Sequence, residues 1–252
     1  MRSTGRMILC VAAGAFALAA FGAAAARAQT YRSALAVVVS PDGKTLYATD
    51  KTTGCVAVID AAAGKKTAEI AIDGEPSGLA LSADGKTLYV AQRLAGSVAV
   101  IDAAKNAVSG KIAVGPWPVA VLIAEKGKRL YVCNRGDHTV SVVDLAAGKQ
   151  IKQVPVVRDP FCAAVTPDES RLIVTNYMPY GPGADPTLAA EVSILDAAAL
   201  EQVAKIKLPP GSTAVNGVCC SPDGKWAYVI HALGRFNLPV TQLERGWSTP
   251  TR

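Results

Sequence analysis

Two histidines, five cysteines beyond the N-terminal segment and a set of regularly spaced aspartates are the residues from which this chain would have to build any chemistry. A zinc site needs several N, S or O ligands converging on one point, and a haem needs at least an axial ligand. His138 and His231 stand alone in different parts of the chain and read as loop and strand-end residues. Asp60, Asp102, Asp144 and Asp196 recur and so suggest metal binding, but one aspartate per repeat at a strand end is better explained as a turn-forming residue. Cys219-Cys220 read as small apolar residues of an inner strand, the alternative being a vicinal disulfide or a reactive thiol. Cys-x-x-Cys-His, Gly-x-Ser-x-Gly, His-Glu-x-x-His and phosphate-cradling glycine loops are absent. These residues therefore call for no catalytic group, no metal and no cofactor, although a nucleophile and base assembled from distant segments would not show in a sequence.

What must position these residues is a repeat. Ser40-Pro41-Asp42-Gly43 returns as Ser82-Ala83-Asp84-Gly85, Ala124-Glu125-Lys126-Gly127, Thr166-Pro167-Asp168-Glu169 and Ser221-Pro222-Asp223-Gly224, at steps of 42, 42, 42 and 55 residues. Val56-Ala57-Val58-Ile59-Asp60 keeps the same beat as Val98-Ala99-Val100-Ile101-Asp102, Val140-Ser141-Val142-Val143-Asp144 and Val192-Ser193-Ile194-Leu195-Asp196. Each repeat reads as four short β-runs, in the first at about 34–39, 45–50, 55–60 and 66–72, and no helical apolar period follows the N-terminal segment. A single four-stranded sheet that is apolar on both faces cannot bury itself, whereas sheets stacked around an axis can. The expectation is an all-β propeller of four-stranded blades at about 34–75, 76–117, 118–159 and 160–214, with a partial blade at 215–231 and an irregular tail at 232–252. About four and a half blades leave the ring incomplete, and a longer protein whose remainder is missing from this chain is the preferred explanation.

Antiparallel strands sort the turns into two faces. The loops after the second strand and the blade-to-blade connections share one face, and the irregular insertion at about 177–190 falls there. Binding residues concentrate on loops held by a rigid scaffold, so this face is the candidate surface. The connections supply Trp117, Arg158, Asp159 and Phe161; the second-to-third loops supply Arg135, Asp137, His138, Tyr177, Tyr180, Arg235 and Phe236, and His231 lies at the edge of the last such loop. Aromatic and arginine side chains suit an interface hot spot. Alternatively, Trp117 and Phe161 pack between blades and Asp137-His138 form a solvated turn.

Residues 1–28 read as a secretory signal peptide: Arg2 and Arg6, an apolar run from Met7 to Ala26, and small residues around a cleavage point after Ala28. This places the protein in the periplasm or outside the cell, with no stable membrane insertion after cleavage. Loss of Arg2, Arg6 and Arg27 reduces the formal charge of +6 to about +3. No Lys/Arg cluster suited to a phosphate backbone remains, which argues against nucleic acid as a partner. An odd number of cysteines in an oxidising compartment leaves at least one unpaired within the monomer.

Leu88-Tyr89-Val90-Ala91-Gln92, Leu130-Tyr131-Val132-Cys133-Asn134 and Leu172-Ile173-Val174-Thr175-Asn176, each between a Pro-Asp-Gly-like turn and a V-x-V-I-D run, resemble the YVTN-type bacterial β-propeller repeat over about residues 34–231. That family includes extracytoplasmic binding proteins, lactonase-like enzymes and propellers attached to c-type cytochrome or quinoprotein machinery, so the resemblance implies the fold and leaves the chemistry open. Residues 231–247 are similar to a stretch in periplasmic propellers that precedes a cytochrome c or dihaem-peroxidase-like domain, which implies a c-type cytochrome domain or partner. Two functions follow as expectations. One is an interaction module of the cell envelope that binds a protein or small molecule on the loop face and is not catalytic by itself. The other is the propeller portion of a periplasmic redox enzyme or of a lactonase-like hydrolase.

Overall fold

The computed structural model describes residues 33–124, 128–183 and 185–234. The chain divides into residues 1–31 and 32–252, and the described residues belong to the second unit. The expected signal peptide, Arg235, Phe236 and the rest of the tail beyond Gly234 lie outside the described residues. All regular structure described is β, with no helix long and apolar enough to cross a membrane.

Four sheets have four strands each in simple antiparallel order, and a fifth has two. The first blade comprises β1 (Ala34–Val39), β2 (Thr45–Asp50), β3 (Cys55–Asp60) and β4 (Lys65–Ala71); the second β5 (Pro76–Leu81), β6 (Thr87–Gln92), β7 (Ser97–Asp102) and β8 (Ala107–Ala113). The third comprises β9 (Pro118–Ala124), β10 (Arg129–Asn134), β11 (Thr139–Asp144) and β12 (Lys149–Pro155); the fourth β13 (Pro160–Val165), β14 (Arg171–Asn176), β15 (Glu191–Asp196) and β16 (Glu201–Lys207). β17 (Ser212–Cys220) and β18 (Ala227–Leu233) form the partial fifth. The strands of the first repeat fall within one residue of the expected positions, because the turn residues between them set the register.

The core lies between blades. Tyr47, Val56 and Val58 of the first blade pack with Leu79, Leu88 and Val90 of the second; Val98 and Ile112 pack with Leu130 and Val132; and Tyr131, Val140 and Val142 pack with Leu172 and Val174. The second and third sheets thus bury both faces against their neighbours, as the two-sided apolar pattern requires, whereas the first sheet leaves Leu35, Val37 and Val39 exposed and the fifth leaves Tyr228 and Ile230 exposed. The inner strands approach closely. A Cβ on Gly78 would stand 2.5 Å from the Val119 carbonyl oxygen, and the Ser77 hydroxyl donates to the Pro118 carbonyl oxygen at 2.8 Å.

The lower face carries the turns after the first and third strands. In the first kind, Ser40 Oγ donates to Asp42 Oδ1 at 2.6 Å and accepts from the Thr45 N–H at 2.9 Å, while Asp42 also accepts from the Lys44 N–H. Ser82 with Asp84, Thr166 with Asp168 and Ser221 with Asp223 repeat the arrangement. In the second kind, Asp60, Asp102, Asp144 and Asp196 each accept two backbone N–H groups from the turn that follows. These aspartates are turn caps, and among the described residues no three His, Cys, Asp or Glu side chains converge as a metal-ligand set.

Candidate binding face

The upper face carries the second-to-third loops and the blade connections. Its loops hang from the last residue of each second strand. Asp50 accepts the Thr52 and Thr53 N–H groups, Gln92 donates to the Asp73 carbonyl oxygen, Asn134 donates to Thr139 and Ser141, and Asn176 donates to the Glu191 carbonyl oxygen and Ser193. All four are buried, so each fixes its loop from beneath through bonds that a buried polar group needs.

The residue immediately before each of the inner strands β5, β9 and β13 has a left-handed backbone although it is not glycine: Glu75 (φ 64°), Trp117 (φ 52°) and Asp159 (φ 55°); Ala214 (φ 50°) has the same conformation inside β17. The first three precede prolines. A non-glycine residue held in this region costs on the order of 1–3 kcal/mol. In the first full blades the position is also bonded to its own loop, the Glu75, Trp117 and Asp159 carbonyl oxygens accepting the N–H groups of Arg93, Arg135 and Tyr177. The strained residue therefore lies directly beside the first residue of the loop.

Side chains at these paired positions join across the blades. Glu75 takes Lys51 Nζ at 2.9 Å and Arg93 Nε at 2.8 Å. The Arg93 guanidinium also lies over the Trp117 ring, 5.6 Å from its centroid. Arg135 grips Asp159 with both arms, Nε to Oδ1 at 2.5 Å and a terminal nitrogen to Oδ2 at 2.7 Å. Its guanidinium lies 5.5 Å from the Phe161 centroid and 5.2 Å from that of Tyr177, and the two rings pack on each other at 5.1 Å with 34° between their planes. The hydrogen bonds and charge of Arg93, joined by Lys51, hold the Glu75 carboxyl below the ordinary range despite some burial. Asp159 in turn raises the affinity of Arg135 for its proton. The result is a run of contacts from Lys51 through Glu75, Arg93 and Trp117 in one group, and from Arg135 through Asp159, Phe161 and Tyr177 in the next.

Of the residues singled out from the sequence, Arg135, Phe161 and Tyr177 meet in one cluster, and Trp117 stands beside it. Phe161 is the second residue of β13 and not part of the connection, since Pro160 already pairs with Asn176. Trp117 is 54% exposed, so it does not fill a gap between blades. His138 has φ 60° and its Nδ1 accepts the Asp159 N–H at 3.1 Å, which makes it a brace for the connection bearing Asp159. Asp137 accepts the Thr139 hydroxyl within the same turn. Arg158 donates to the Pro179 carbonyl oxygen at 3.3 Å and so ties down the insertion, at whose tip Tyr180 is 70% exposed. His231 is a half-buried residue within β18, at the repeat position that Asp50, Gln92, Asn134 and Asn176 occupy in the other blades, and its Nδ1 lies 3.4 Å from the Ala232 carbonyl oxygen. Cys219 and Cys220 are both free, and Cys219 is exposed because the two-stranded fifth sheet has no further blade against it among the described residues. Lys51, Glu75 and Arg93 were missed; the signal for them was register, since Arg93 lies one repeat before Arg135 and Lys51 one repeat before that.

A family model described as lactonase, 7-bladed beta-propeller, matches residues 12–113 and again 65–150, together more than half of the chain. Overlapping matches are what an internal repeat produces. Among solved structures, hydrazine synthase from Kuenenia stuttgartiensis superposes with a TM-score of 0.75 at 25% identity over 85% of this chain. The matched region spans 61% of that chain's length. No curated protein matches.

Proposed function

Because this chain belongs to the lactonase-type seven-bladed β-propeller family, we propose that it is an exported binding module of the bacterial cell envelope, not catalytic by itself, whose upper face docks a partner protein. The observation that carries this reading is the Arg135 cluster. One guanidinium is paired to a carboxylate and flanked by two aromatic rings, beside an exposed tryptophan under a second arginine. Arginine, tyrosine and tryptophan on a preorganised surface are the side chains that dominate protein interfaces, and pre-pairing them lowers the entropic cost of association. The electrostatics favour docking over proton transfer. Glu75 is ionised and engaged by two cations, whereas a general acid or base works best with a pKa near the operating pH. The signal-like segment supports export to the periplasm or beyond, and a c-type cytochrome domain or protein is the partner class to which the C-terminal resemblance points.

The test is chemical cross-linking in the native envelope, comparing the wild type with Trp117→Ala and Arg135→Lys. Loss of one defined adduct in both variants supports the reading, and an unchanged adduct profile overturns it. The family description favours a second reading, a lactone hydrolase. Turnover of a simple lactone by the wild type that Glu75→Gln abolishes would establish it in place of the first.

A further inference from the structure

A cleft of about 470 Å³ opens between the third and fourth blades, along their outermost strands β12 and β16. Its apolar wall is Val154, Pro155, Val156 and Leu200, and its polar residues are Lys152, Glu201, Gln202 and Lys205. Three observations set it apart from an ordinary groove between sheets.

The first is Leu200. It occupies the fourth position after the turn aspartate, where the other blades place Gly64, Asn106 and Gly148. All four residues have positive φ, 55° at Leu200. A bulky side chain in the left-handed region is an outlier, and here it forms the apolar side of the cleft. The second is Gln202. Its counterpart one repeat earlier, Gln150, accepts the Ser141 hydroxyl at 2.6 Å, but Gln202 Oε1 is buried without a hydrogen-bond partner. A buried acceptor left unpaired costs about 1–3 kcal/mol, which a donor entering the cleft would recover. The third is charge. The two strands bordering the cleft carry Lys149, Lys152, Lys205 and Lys207 against Glu201. Lys152 Nζ reaches only the Ala199 carbonyl oxygen, at 3.3 Å, and neither it nor Lys205 has a carboxylate partner among the described residues.

We propose that this rim cleft binds an extended acidic peptide segment of a partner protein. β12 and β16 are the outermost strands of their sheets, so each presents an unpaired backbone edge of the kind to which an extended chain adds. A peptide N–H supplies the donor that Gln202 Oε1 lacks. An apolar side chain rests on Leu200, Val154 and Val156, and flanking carboxylates meet Lys152 and Lys205. A cleft of this volume is within the range that holds a small ligand or a few side chains.

The probe is a short fluorescein-labelled peptide alternating Leu with Glu, measured by fluorescence anisotropy against the full chain, with a Leu-Lys peptide as its opposite. Binding of the acidic peptide should be at least about tenfold tighter than that of the basic one, and should weaken with added salt. Leu200→Gly is the decisive variant. Glycine is native at this turn position in the first and third blades, so the fold is kept while the apolar wall is removed, and affinity should drop about tenfold. The Lys152→Ala/Lys205→Ala double variant should drop similarly, Glu201→Gln should bind more tightly, and Lys111→Ala on the outer strand of the second blade should bind as the wild type does. Equal binding of the two peptides, or wild-type affinity in the Leu200→Gly variant, would overturn the proposal.

Discussion

The two faces of this propeller use the same kind of residue in opposite ways. On the lower face, Asp42, Asp84, Asp168 and Asp223 bond to hydroxyl and N–H groups two residues away. On the upper face, Glu75 and Asp159 reach arginines 18 and 24 residues distant, and Asp159 does so across a blade boundary. The lower carboxylates close turns and are interchangeable from blade to blade. The upper ones differ at each blade, stand on strained backbone and gather aromatic rings around them. Local bonding makes a scaffold that repeats; non-local bonding makes one site.

The largest effect expected is at the upper face. Arg135→Ala leaves Asp159, whose side chain is only 14% exposed, without its guanidinium and unstacks Phe161 and Tyr177. It should cost about 2–3 kcal/mol in urea unfolding, the range for a half-buried ion pair with aromatic contacts. A loss no greater than that of a lower-face turn variant would break the comparison.

Acid should weaken the lower face next, because local hydrogen bonds hold four of its turn carboxylates below their ordinary range. Hydrogen bonds from Thr166 and then Ser170 lower the Asp168 pKa from 3.8 to about 2. Ser40, Ser82 and Ser221 lower Asp42, Asp84 and Asp223 in the same direction. A carboxylate with a depressed folded pKa stabilises the protein above its unfolded value and loses that contribution as pH falls through the folded one. Thermal stability should therefore decline from about pH 4 towards pH 2, and Asp168→Asn should be less stable at neutral pH with a flatter acid limb. An equally steep limb in that variant would place the acid sensitivity elsewhere.

Trp117→Gly sharpens the comparison from the other side. Removing a side chain from a left-handed position relieves strain, so stability in denaturant should rise by about 1 kcal/mol while the cross-linked adduct is lost. A fall in stability would mean that Trp117 contributes more by packing than its exposure indicates. The smallest change is Asp60→Ala, which removes one turn cap and should cost about 0.5–1 kcal/mol without affecting either proposed binding surface.

Much of the fold was legible because turn chemistry acts over a few residues. Asp60 and its counterparts read as turn caps, and the hydrogen bonds they accept from the backbone N–H groups two and three residues on are the reason. The candidate site was legible only in part. Arg135, Phe161 and Tyr177 stood out by type, but nothing local joined Arg135 to Asp159, and Arg93 looked like any exposed arginine. His231, read as a strand-end residue, lies within β18 because the last repeat carries its second strand to Leu233, two residues beyond the expected end.

The sequence by itself determined the four-stranded repeat, its register and its turns, since each depends on φ preferences and hydrogen bonds within one short segment. Which residues became a site was decided only by the tertiary structure. Stacking the blades brings a loop beside the connection of the next sheet, and contacts between residues far apart in the chain, such as Arg135 with Asp159 or Leu200 with Val154, exist only once the inter-blade core has formed.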